Sequence, residues 1–200
     1  MTVIGITGPT GAGKTTVLNV LSGMGGAVAD CDAVYHELLL TSVSMQNELK
    51  KRFGRSIFDE NGHLRRKELG AIVFEDVQAL NDLNAITHRH IIAELEWRIA
   101  QAGAEGRSAI ALDAIALLES GAGGLCGVTV AVTAPEEVRV RRIMAREGVS
   151  EEYARARIAA QKPAAWFEER CTYTLRNDGS REALEEKARA LFELILYQGG

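Results

Sequence analysis

A chain of 200 residues, 46% hydrophobic and 25% charged, can bury a sizeable core and has the profile of one globular domain with modest insertions. Its net charge of −4 at pH 7 excludes the global basic field that draws in DNA or RNA, so any phosphate must be caught locally. Cys31, Cys126 and Cys171 form no CxxC pair, the N-terminal MTVIGITG has no basic leader and no segment approaches the ~20 apolar residues of a membrane span, so the sequence reads as cytoplasmic, with no nucleic-acid or membrane partner.

The first predicted element is a strand over 2–7 (TVIGIT), followed by GITGPTGAGKTT over 5–16 and then by Val17, Val20, Leu21 and Met24 at helical spacing. A second strand falls at 26–30 (GAVAD). The long interval before the next strand is helical, with Leu80, Leu83, Ile91 and Leu95 on one face of a helix over roughly 77–102. We expect residues 33–105 to form an inserted helical subdomain. Strands follow at 108–113 (SAIALD), 128–134 (VTVAVTA) and 171–177 (CTYTLRN). Between the last two lies a shorter helical insertion, PEEVRVRRIMARE from residue 135 and then, after Gly148, SEEYARARIAAQ with Ser150 as N-cap, and residues 138–165 are expected to form a unit of their own. An amphipathic helix, REALEEKARALFELILY, closes the chain. Short apolar strands alternating with helices predict an α/β domain over 1–200 with a parallel five-stranded sheet.

Residues 8–15 fit GxxxxGK[ST] with Gly8, Gly13, Lys14 and Thr15 in place, led in by a strand and out by a helix. Glycines let backbone N–H groups turn inward as an anion nest, and the helix N-terminus adds partial positive charge. Lys14 can reach β- and γ-phosphates, and the Thr15 hydroxyl can meet Mg²⁺. The whole loop, Gly8, Pro9, Thr10, Gly11, Ala12, Gly13, Lys14, Thr15 and Thr16, is therefore assigned to a nucleoside triphosphate, which the resemblance given below implies is ATP. A glycine-rich turn that binds nothing needs no Lys-Thr at that spacing.

Asp30 and Asp32 follow the second strand and Asp113 ends the third, and the carboxyl ends of parallel strands are where open α/β sheets build sites. Two carboxylates after the second strand can orient an acceptor hydroxyl or hold metal-bound water, and Asp113 stands where a Mg²⁺-contacting acid would. Each is equally readable as a cap or turn residue. Arg139, Arg142 and Arg146 share one helical face, which is either a phosphate clamp or a solvated stripe. Arg157 and Gln161 lie at i, i+4 beyond them, where a phosphate or substrate contact and surface placement both fit.

These motifs resemble the dephospho-CoA kinases, P-loop kinases that phosphorylate the ribose 3′-hydroxyl of dephospho-CoA. The resemblance runs nearly end to end, through GITGPTGAGKTT, DCDAVYHEL, NGHLRRKELGAIVF, LNAITHRHI, LDAIALLESG, RRIMAREGVSEEYARARIAAQ and LRNDGS in family order. It implies Asp32 as general base beside the acceptor, and Leu64, Arg66, Leu69 and His88 on the CoA side. It further implies Arg142 and Arg146 in a lid that closes on the transferring phosphates, and Asn177 and Gly179 in a loop near the adenine. Departures from the family pattern are Ile115-Ala116-Leu117-Leu118-Glu119 in place of Pro-Leu-Leu-Phe-Glu, Arg89 in place of a proline, and Thr172 in place of an acid.

Three rivals are open at this point. Another small-molecule P-loop kinase, acting on a nucleotide, shikimate or gluconate, shares the loop and lid; NGHLRRKELGAIVF argues against it. A GTP-dependent switch would need an Asn-Lys-x-Asp element, and none occurs. A homologue that had lost activity would be expected to have damaged Lys14, Thr15 or Asp32, and all three stand. The expected partner is the small molecule dephospho-CoA; the sequence leaves the oligomeric state open.

Overall fold

Alternate residues of the buried strands divide between two cores, which explains why these runs are apolar throughout rather than every second residue. The structure, a computed structural model, describes residues 1–198. Its strands are β1 (Thr2–Thr7), β2 (Ala27–Asp30), β3 (Ala109–Asp113), β4 (Val128–Thr133) and β5 (Tyr173–Arg176), all parallel, in the spatial order β2-β3-β1-β4-β5. Each lies within its predicted run. The helices are α1 (Lys14–Gly23), α2 (Cys31–Thr41), α3 (Val43–Phe53), α4 (Arg66–Glu75), α5 (Val77–Ala104), α6 (Glu136–Glu147), α7 (Glu151–Ala159), α8 (Ala164–Glu168) and α9 (Arg181–Gln198).

On one face of the sheet Ile4, Ile6, Ala111, Val130 and Val132 pack against Val17 and Leu21 of α1 and against Leu184, Ala188 and Phe192 of α9. On the other, Ala29, Ile110 and Leu112 meet Cys31 and Val34 of α2 and Leu95 and Ala102 of α5. Helices α2 to α5 enclose a third core around Leu39, Met45, Leu49, Phe53, Leu69 and Val73. A fourth, smaller core of Val140, Ile143, Ala154 and Ile158 joins α6 to α7. Ser150 caps α7 by accepting from the Tyr153 N–H, as its position before two acidic residues predicts.

Leu80 corrects the helical pattern read for α5. It is 39% exposed, because the helices against the first turns of α5 reach Ala79, Leu83 and Ile86 and stop short of it. No helix among the described residues is long and apolar enough to cross a membrane.

The strand order locates the site. The chain leaves β1 toward β2 on one side and leaves β3 toward β4 on the other, so the loops after neighbouring β1 and β3 diverge and open a crevice at their carboxyl ends.

Candidate active site

The loop after β1 is held from behind by side chains far away in sequence. Gly8 has φ +134°, and a Cβ there would lie 2.1 Å from the Val132 carbonyl oxygen, so only glycine lets the loop cross β4 this closely. At Gly13 (φ +109°) a Cβ would meet Asn177 Nδ2 at 2.3 Å. That amide donates to the Ala12 carbonyl at 2.7 Å, and its Oδ1 accepts from Arg142 at 3.1 Å. Arg142 also donates to the Gly11 carbonyl at 3.3 Å. The Lys14 ammonium donates to the Gly8 carbonyl at 3.2 Å, and burial pulls its pKa below the usual lysine range, with Asp113 and then Asp32 opposing.

Thr10 is gripped hardest. Gln161 Oε1 accepts from its N–H at 2.9 Å and Gln161 Nε2 donates to its hydroxyl at 2.7 Å, while Arg139 Nε donates to its carbonyl at 2.9 Å. Arg139 is only 4% exposed, which removes it from the solvated stripe that periodicity allowed.

Two cavities open on the crevice. One, of about 300 Å³, is lined by Thr10 to Thr15, Asp113, Ile115, Arg142, Arg146 and Arg157. The other, of about 260 Å³, is lined by Asp32 and Tyr35 of α2, by Asn84, Thr87 and His88 of α5, and by Ala114, Ala116 and Ser120 after β3. Consecutive residues Asp113, Ala114, Ile115 and Ala116 thus turn alternately to the two cavities and form their common wall.

The three acids separate by role. Asp30 is the N-cap of α2, its Oδ1 accepting from Asp32 N–H at 2.9 Å and Ala33 N–H at 3.1 Å, the cap role that the sequence left open for it. Asp32 makes no side-chain hydrogen bond among the described residues and faces the second cavity. Asp113 is largely buried, with its Oδ1 lacking any partner, and burial pushes its pKa up to about 6 against the pull of Lys14. For His88, burial lowers the pKa and favours the neutral imidazole.

Other candidates stand elsewhere than the sequence suggested. Arg157 faces the phosphate-loop cavity rather than the one with Asp32, because the α6–α7 core lays α7 beside Arg146. The Thr10 N–H is committed to Gln161, so it is not a free phosphate donor. Gly8, Pro9, Thr16 and Asn177 frame the loop without lining its cavity, and Gly179 lies beyond, between β5 and α9. Arg66 lines neither cavity; its guanidinium is 3.2 Å from His36 Nδ1 and its charge acts on the Tyr35 phenol at the rim of the second. Periodicity gave no sign of Tyr35, Asn84 and Thr87. Of the departures, Ile115 and Ala116 line the cavities, Arg89 pairs with Glu48, and the Thr172 hydroxyl accepts from the Thr129 N–H.

The dephospho-CoA kinase family model matches residues 2–183. The chain belongs to the dephospho-CoA kinase family. It is 39% identical over 198 residues to a dephospho-CoA kinase of Corynebacterium diphtheriae, a match covering 99% of each chain. The structure of TT1252 from Thermus thermophilus is similar to it with a TM-score of 0.79 at 35% identity, over 96% of each chain. A dephospho-CoA kinase from Campylobacter jejuni shares the fold, with a TM-score of 0.71 at 22% identity over 99% of this chain and 98% of that one.

Proposed function

We propose that the protein transfers the γ-phosphoryl group of ATP to the ribose 3′-hydroxyl of dephospho-CoA, giving coenzyme A and ADP. The observation that carries this reading is the meeting of two cavities across residues 113–116, one walled by the phosphate loop and the other holding the uncommitted carboxylate of Asp32.

Donor phosphates lie on the amides of Gly11 to Thr15, with Lys14, Arg142 and Arg146 offsetting the charge that develops on the transferred group. Asp32 accepts the hydrogen bond of the acceptor hydroxyl and takes its proton as the new O–P bond forms and the bond from the γ-phosphorus to the β,γ-bridging oxygen breaks, releasing ADP. Neutral His88 is a hydrogen-bonding partner for the acceptor in the same cavity, and Arg66 adds positive charge beside its rim. The helical segment 33–105 holds the pantetheine side. Segment 138–165 closes over the phosphates and keeps water from replacing the acceptor.

The residues suit a hard divalent cation. The Asp113 Oδ1 is buried without a partner and raised in pKa, a state that a cation relieves, and the Thr15 hydroxyl lines the same cavity. These two would hold Mg²⁺, which when bound supplies charge neutralisation at the donor phosphates.

The reading is tested by ³¹P NMR of the products formed from ATP, Mg²⁺ and dephospho-CoA. One new phosphomonoester on the ribose 3′ position, appearing in step with ADP, is the expected result; ADP with inorganic phosphate and no monoester would overturn it.

A further inference from the structure

Glu147, the last residue of α6, joins the two arginines at the mouth of the phosphate-loop cavity. Its Oε1 accepts from Arg146 at 2.6 Å and its Oε2 from Arg157 at 2.5 Å. Arg146 belongs to α6 and Arg157 to α7, so one carboxylate ties together guanidinium groups carried by separate helices. Each gives Glu147 a single nitrogen and makes no other hydrogen bond among the described residues, which leaves the rest of its N–H fork uncommitted. Both arginines line the cavity, and Glu147 is the less exposed partner, its side chain 25% exposed against 57% for Arg146 and 39% for Arg157.

Without such a tie, two long side chains at an open rim would sample many rotamers, and each would lose that freedom on meeting a phosphate. The tie also has an electrostatic effect. Lys14, Arg142, Arg146 and Arg157 put four cations around one cavity, and a carboxylate bonded to two of them lowers its pull on any polyanion, product included.

We propose that Glu147 is a positioning residue for phosphoryl transfer: it holds Arg146 and Arg157 at one point with N–H groups left for the donor phosphates, and it keeps the anion affinity of the cavity low enough for product to leave. The inference rests on the reading of this cavity as the donor-phosphate site. Its distinguishing consequence is that removing the carboxylate moves affinity and turnover in opposite directions, whereas a role confined to fastening α6 to α7 would weaken both.

The test uses the full chain, with inorganic tripolyphosphate as the calorimetric probe and steady-state turnover of ATP and dephospho-CoA as the second readout. Glu147→Gln should bind tripolyphosphate about 3–10-fold tighter, since it removes the negative charge bonded to two of the cavity's four cations, and should lose about 10-fold or more in kcat as the arginines lose their common anchor. Glu147→Asp keeps the charge but is too short to span both guanidinium groups, so kcat should fall while tripolyphosphate affinity stays within about 2-fold of the parent. Tripolyphosphate affinity unchanged or weakened in Glu147→Gln, or full turnover in Glu147→Asp, overturns the inference. Arg146→Ala and Arg157→Ala separate the two levels. If either weakens tripolyphosphate binding and Glu147→Gln does not tighten it, the role of Glu147 falls alone; if neither does, the donor-site reading falls with it.

Discussion

Gln161 and Thr10, 151 positions apart, form a two-point contact in which one side-chain amide accepts from the threonine N–H and donates to its hydroxyl. The contact fastens the phosphate loop to the segment that follows α7. Thr10 is only 5% exposed, so losing the amide leaves a buried N–H without a partner, at a cost of about 1–3 kcal/mol. Gln161→Ala should therefore lower the unfolding free energy by roughly that amount and raise KM for ATP, because the loop no longer holds its shape. Urea unfolding and steady-state kinetics check it together; unchanged values in both would show that the contact is incidental.

Lys14 is the cation closest in role to the transferred phosphoryl group. Lys14→Ala should keep the fold while removing on the order of 10²–10³-fold in turnover, as loss of a contact to developing charge does. Circular dichroism and turnover measured on the same preparation decide the matter, and a folded variant with near-normal turnover would remove Lys14 from the chemistry.

Asp113 gives a pH signature. Its pKa is about 6 in the folded protein against an ordinary 3.8, so the folded state binds the extra proton between those values and stability falls as pH rises through that window. Asp113→Asn removes the effect. The variant should match the parent near pH 3.5 and exceed it by on the order of 2–3 kcal/mol above pH 7, measured by chemical unfolding with chelator present. An advantage of the same size at both pH values would contradict the buried, unpartnered carboxylate.

Asp32 has no structural duty comparable to the cap made by Asp30. Asp32→Asn should bind both substrates with the parent's affinities and lose roughly 10²–10⁴-fold in kcat. Calorimetric titration of each substrate with single-turnover kinetics tests this, and an active variant would remove the base while leaving the substrate assignment intact.

What the sequence made legible follows from local physics. Parallel strands buried on both faces read as unbroken apolar runs, so all five were visible. The glycine spacing with Lys-Thr marked the loop, and Ser150 before two glutamates marked the start of α7. Illegible were contacts made between distant segments. Asn177 meets the Ala12 carbonyl only because β5 lies beside β4, which lies beside β1. Arg139, one of three arginines on a helical face, is buried because α6 passes under Thr10. Arg157 could be placed on the donor side only once the α6–α7 core was known. Leu80 had the right period and the wrong neighbours.

The central claim is that the second cavity accepts dephospho-CoA and the loop cavity delivers the phosphoryl group to it. The most direct measurement is kcat/KM with ATP and Mg²⁺ for dephospho-CoA, AMP, shikimate and gluconate as acceptors under one set of conditions. Dephospho-CoA should exceed each of the others by about 10³-fold or more, the discrimination expected when a site's polar groups are satisfied by one acceptor alone. A higher kcat/KM for AMP, shikimate or gluconate would contradict the account.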